Sequence, residues 1–177
     1  MYKTTQALNY SAIIGVALLL IGFVIPEDIV IPVKGATDND WNHETFWYDP
    51  WGTSIVHKGI DIFGVKNTPV IAASTGIVLF SGVLGKGGKA IAILGPKWRL
   101  HYYAHLQTKS VSTGEFVTVN KTIGTLGNTG NAVGKPSHLH YSIVSIFPIP
   151  WLVTTEKQGW KKMFFLNPHE ILIENDE

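Results

Sequence analysis

"SHLHYSI" runs from Ser137 to Ile143, and its alternation decides how the body of the chain is built. In a strand, residues two apart share a face. His138 and His140 then point the same way, with Cα atoms ~6.8 Å apart, while Leu139 points to the opposite face and into a core. Polar ring nitrogens among apolar neighbours are costly to bury without partners. A metal, a hydrogen-bond network or water must satisfy them. The spacing lets one imidazole bind a metal while the other reaches a water on the same ion. It is equally the spacing of two surface histidines on a wet sheet.

Working outward, "HKGIDIFG" (His57 to Gly64) offers a second polar pair. On one extended strand His57 and Asp61 would stand ~13 Å apart, near the limit for sharing an ion. Gly59 between them allows the backbone to bend and bring both side chains together. Imidazole nitrogen and carboxylate oxygen are both good zinc ligands, although an aspartate capping a turn would look the same. In "LHYYAHL" (Leu100 to Leu106) a regular strand puts His101, Tyr103 and His105 on one face. His101 and His105 are then too far apart to serve one ion without a bend, so one is expected in a site and the other at its rim. His43 and His169 lack patterned neighbours and read as structural or solvent-exposed. His57, Asp61 and one histidine of the "HLH" pair would make three protein ligands. That leaves a fourth position for water, as catalytic zinc sites require.

The rest of the chain alternates short β-type runs with glycine punctuation. "PVIAA", "IVLFSG", "KAIAILG", "WRLHYYAH", "FVTV", "IGTLG" and "HLHYSIVSI" follow one another between Pro69 and Ile146. Several short strands at such spacing predict an all-β domain with a mostly antiparallel sheet. No helix of substantial length is expected after the N-terminal segment. With 177 residues, 18 Gly and 9 Pro, one turn-rich domain is expected. The near-neutral charge, +1, lacks the footprint of a nucleic-acid binder, so no nucleic-acid partner is expected. Cysteine is absent, which excludes disulfides, a thiol nucleophile and a lipid-modified cysteine anchor.

Before Glu27 the only charged side chain is Lys3, and "AIIGVALLLIGFVI" (Ala12 to Ile25) is almost wholly apolar. This predicts a single N-terminal transmembrane helix within residues 1–26, or the core of a signal peptide, with the former favoured. Lys3 before the helix and Glu27 and Asp28 after it keep the N-terminus inside. The rest is then exported, on the periplasmic or cell-envelope side of the membrane. Residues 27–48 read as a linker and entry segment, and 49–173 as the β domain. Its aromatic stretch 147–166 reads as an arm over the sheet, a cleft wall or a membrane-touching patch.

The motifs "HKGIDI", "PVIAASTGIVLFSG", "YYAHL" and "GTLGNTGNAVGKPSHLHYSI" resemble, in order, those of the lysostaphin/LytM-type zinc metallopeptidases. The resemblance covers roughly His57 to Ile146, and "FLNPHEIL" is similar to the way many such domains finish. The sequence departs from the commonest short ending between Ile146 and Phe164. The resemblance implies a mostly antiparallel β fold with a long groove and one zinc ion. It also implies His57, Asp61 and His140 as zinc ligands and His105 and His138 as catalytic histidines. No H-E-x-x-H motif supplies a glutamate base, so a histidine must accept the proton of the metal-activated water. The implied activity is a zinc endopeptidase acting on peptide bonds of peptidoglycan stems or cross-bridges. A catalytically inactive regulator of a wall amidase, working through a protein partner, is the alternative. A zinc peptidase acting on a protein or peptide is another.

Overall fold

The computed structural model describes residues 2–174. Strands form where the β-branched and aromatic runs stand between glycines. β1 covers Ile60–Phe63, β2 Pro69–Ile71, β3 Gly76–Leu84, β4 Gly88–Leu94 and β5 Arg99–Leu106. β6 (Thr108–Lys109), β7 (Phe116–Val117), β8 (Thr122–Thr125), β9 (His138–Ser145) and β10 (Phe165–Leu166) follow. One sheet has the order β1-β9-β5-β4-β3-β7, and the two-residue β10 also pairs with β9. A second, three-stranded sheet has the order β2-β8-β6. Every pairing is antiparallel, as the sequence predicts.

The core lies on one face of the large sheet. Ile60, Ile62, Ile91, Ile93, Tyr103, Leu139, Tyr141 and Ile143 are fully buried there and cluster with Val70, Ile123 and Leu126. Each such aliphatic side chain contributes roughly 1.5–3 kcal/mol by leaving water. The period of two that buries Leu139, Tyr141 and Ile143 necessarily places His138, His140 and Ser142 on the opposite face. Residues 27–48 are bound to the body. Val30 N–H donates to the Ala73 carbonyl at 2.9 Å, and Lys34 N–H donates to that of Pro69 at 3.0 Å.

Two helices flank the sheets. α1 covers Tyr2–Val24. Among the described residues no helix is long and apolar enough to cross a membrane, so the expected transmembrane helix is not supported. The apolar run begins only after Thr4, Thr5, Gln6, Asn9 and Ser11, and the far end of α1 packs on the body. Trp98 Nε1 donates to the Leu19 carbonyl at 2.9 Å, and Phe23 lies against Phe147 with ring centroids 5.2 Å apart. α2 covers Pro168–Glu174, beginning within "FLNPHEIL" and running two residues past it, a short helix the sequence did not single out. Its start is set by Asn167, whose Oδ1 accepts from His169 N–H at 3.2 Å, and by a proline in the first turn. Seven residues are too few for a clear helical period.

The aromatic stretch 147–166 is partly an arm and partly a wall. Its end becomes β10, paired Phe165 to Val144 and Leu166 to Ile143, on the edge of β9 beyond β1. Trp151 and Trp160 on the arm remain exposed.

Candidate active site

The outer face of β9, β5 and β1 forms the floor of a groove of about 820 Å³. His138, His140, Ser142 and Val144 line it from β9, Leu100, Tyr102 and Ala104 from β5, and Asp61 and Phe63 from β1. Pairing sets the alignment: Asp61 stands opposite His140 on one side, and Ala104 stands opposite it on the other.

His57 lies just before β1, and Gly59 allows it to approach. A Cβ at position 59 would meet the Tyr141 carbonyl oxygen at 2.3 Å and Ser142 Oγ at 2.6 Å. Only glycine therefore lets the chain pass this close to β9 and fold His57 back over Asp61. The bend inferred from the sequence is present. His57 Nε2 lies 3.0 Å from Asp61 Oδ1 and 3.0 Å from His140 Nδ1, and the latter is 2.9 Å from the same carboxylate oxygen.

This triangle could hold a metal ion. The Thr45 carbonyl can only accept, so its 3.1 Å contact with His57 Nδ1 places the proton there. In that tautomer Nε2 presents a lone pair to the other two atoms. His140 is anchored on its far side too, with Nε2 3.0 Å from Ser142 Oγ. Asp61 Oδ1 can be shared at this distance by a ring N–H or by a metal ion that the two ring nitrogens also face. Two imidazole nitrogens and one carboxylate oxygen suit zinc, and His57, Asp61 and His140 could hold it. Burial alone would raise the Asp61 pKa, but its contacts with His140 and His57 hold it far below the ordinary value, so the ligand oxygen stays anionic.

His138 and His105 sit beside this trio. His138 Nδ1 donates to the Pro136 carbonyl at 2.8 Å, leaving Nε2 3.9 Å from Asp61 Oδ2. His105 Nδ1 donates to the Thr129 carbonyl at 2.9 Å, and its ring is 5.0 Å from that of His138. Burial, reinforced by His140 and His138, lowers the His105 pKa to about 4. That ring is therefore neutral at neutral pH and able to accept a proton.

The strand reading of "LHYYAHL" fails at one residue. His101 and Tyr103 do share the core face, but His105 does not follow them. Its φ is 64°, left-handed backbone inside a strand, and the β4–β5 register shifts between Lys89 and Ile91. The irregularity turns His105 into the groove. His101 is instead fully buried, with Nδ1 2.7 Å from Tyr141 Oη and Nε2 2.9 Å from Glu27 Oε1. His43 and His169 lie outside the groove, stacked on each other with centroids 4.1 Å apart.

Sequence reasoning missed Thr45, Ser142 and Trp51. Trp51 stacks on His57 with centroids 4.0 Å apart and planes at 21°. Ser142 was within reach of the period-two argument, being two residues beyond His140. Thr45 acts through its main chain, which no side-chain pattern signals. Trp51 carries no spacing that would single it out.

The fold and this cluster together define a LytM-type peptidase domain, one whose open groove carries a His-Asp-His group able to hold a metal beside two tethered histidines. Residues 55–147 match the model of Peptidase family M23, and the chain belongs to that family. It is 31% identical over 140 residues to the L-Ala–D-Glu endopeptidase of Bacillus subtilis, covering 70% of this chain and 43% of that protein. It is 39% identical over 88 residues to the peptidoglycan DD-endopeptidase ShyC of Vibrio cholerae, covering 50% of this chain and 20% of that one. The chain thus spans less than half the length of either relative. The lytM structure from Ruminococcus gnavus superposes with a TM-score of 0.64 at 25% identity, covering 84% of this chain and 61% of that one. The catalytic domain of lysostaphin from Staphylococcus simulans gives 0.59 at 24% identity, covering 77% and 95%, which speaks for the fold.

Proposed function

We propose that the chain is a zinc-dependent endopeptidase that hydrolyses peptide bonds in peptidoglycan stems or cross-bridges. The observation that carries this reading is the triangle of His57 Nε2, Asp61 Oδ1 and His140 Nδ1, at 2.9–3.0 Å, inside a groove that also presents His105 and His138. The substrate class is supported by the named activities of the Bacillus and Vibrio relatives.

In this reading His57, Asp61 and His140 hold the metal. Bound zinc supplies Lewis acidity, acidifying water and polarising a carbonyl. His105 and His138 do the proton and charge work. Each has its Nδ1 proton committed to a carbonyl, so each turns Nε2 toward the reacting centre with a fixed tautomer. One accepts the proton of the attacking water on its Nε2, and the other, when it carries a second proton on Nε2, donates that N–H to the tetrahedral oxyanion. The floor of β5 and β9 positions an extended peptide along the groove. Placement of the domain outside the cytoplasm, in the cell envelope, follows from such a substrate.

Digestion of purified sacculi by the full chain tests the proposal. New stem-peptide ends should appear with zinc, vanish with a chelator and return when zinc is restored. A zinc-loaded chain that releases no ends from any wall type would contradict it.

A further inference from the structure

Apart from Asp61, the charged or basic side chains lining the groove are lysines and histidines. Lys58, Lys86 and Lys135 all line it, and among the described lining residues the sole carboxylate is Asp61, already engaged in the ligand triangle. Three lysines elsewhere find acids: Lys121 meets Glu115 at 2.6 Å, Lys157 meets Asp49 at 2.9 Å, and Lys162 pairs with Glu156, while Lys89 Nζ donates to the Gln107 carbonyl at 2.7 Å. Lys58 and Lys86 are distinguished by where their carbonyl acceptors lie. Lys58 Nζ donates to the Ser54 carbonyl at 3.2 Å and Lys86 Nζ to the Thr53 carbonyl at 3.3 Å. These are adjacent peptide units, so two ammonium groups from separate segments converge on one short turn at the rim. Carbonyl oxygens orient an ammonium but cancel none of its charge, and each ammonium has three donors to spend. Two like charges brought together beside a partly desolvated groove repel, and a bound anion relieves that cost.

We propose that Lys58 and Lys86 form an anion subsite that selects peptides carrying a free carboxylate near the scissile bond. Lys135, on the loop that follows β8, adds to the positive field that draws such peptides in. The inference rests on the endopeptidase reading for its substrate, but it is built from lysines outside the ligand triangle.

Two synthetic stem peptides, identical except for one free carboxylate or carboxamide, test it. Their binding to the chelator-treated full chain is measured by titration calorimetry, and their cleavage by the zinc-loaded full chain by chromatography. The acid should bind about tenfold more tightly at low salt, with the advantage shrinking as salt rises. The double variant Lys58→Gln, Lys86→Gln should lose most of that discrimination. Equal binding of acid and amide by the unaltered chain overturns the subsite, and this comparison needs no variant. A preference undiminished in the double variant overturns it too. Cleavage of both peptides without preference removes the subsite and leaves the hydrolase. Acid-selective binding with no cleavage in zinc leaves the subsite and removes the hydrolase.

Discussion

His140 holds Ser142 Oγ at 3.0 Å with one ring nitrogen and Asp61 Oδ1 at 2.9 Å with the other. His140 and Ser142 stand on the same face of β9, so the strand itself supplies the proposed metal ligand and the group that orients it. Partners of this kind typically change metal affinity 10–100-fold. Ser142→Ala should therefore weaken zinc binding by roughly tenfold or more while leaving the fold intact, as read by competition with a chromophoric chelator and by thermal unfolding. Unchanged affinity would show that His140 is oriented by packing alone.

The close passage of Gly59 past β9 makes a second prediction. Gly59→Ala puts a methyl group 2.3 Å from the Tyr141 carbonyl, so β1 must shift outward. We expect a loss of about 1–3 kcal/mol in unfolding free energy, together with weaker zinc binding, because His57 and Asp61 flank the displaced turn. Denaturant unfolding and metal titration on one preparation would check both.

A third concerns Glu27, whose side chain is only 2% exposed and accepts from Arg99 Nη1 at 2.6 Å. Burial alone would raise its pKa, but His101 and Arg99 outweigh burial and hold it below 4.5. A depressed carboxyl pKa stabilises the fold above the unfolded value, and that contribution is lost as pH falls through the folded one. Glu27→Gln should thus be destabilising near neutrality, and its deficit should narrow below pH 4.5. Melting temperatures of both proteins across that range would decide it; a gap independent of pH would contradict the assignment.

These residues also show how far the sequence could be read. The period of two in "HLHYSI" gave the faces of β9 correctly, because one buried face forces the register. Gly59 betrayed the bend that joins His57 to Asp61. His105 was harder: residue spacing alone put it with His101, because nothing in "LHYYAHL" announces a left-handed residue at φ 64°. The buried Glu27–Arg99–His101 group was invisible for another reason. Glu27 is more than 70 residues from Arg99 and His101, and only folding joins them. Hydropathy of the segment before Glu27 does not register that the end of α1 rests on Trp98 and Phe147.

The measurement that bears most directly on the proposed centre is zinc stoichiometry and turnover determined together on Asp61→Ala, His105→Ala and His138→Ala. Asp61→Ala should lose both metal and activity. His105→Ala and His138→Ala should each retain one zinc per chain and yet release no new peptide ends from sacculi. Zinc lost with either histidine, or retained without Asp61, would contradict the division between ligands and proton-handling groups.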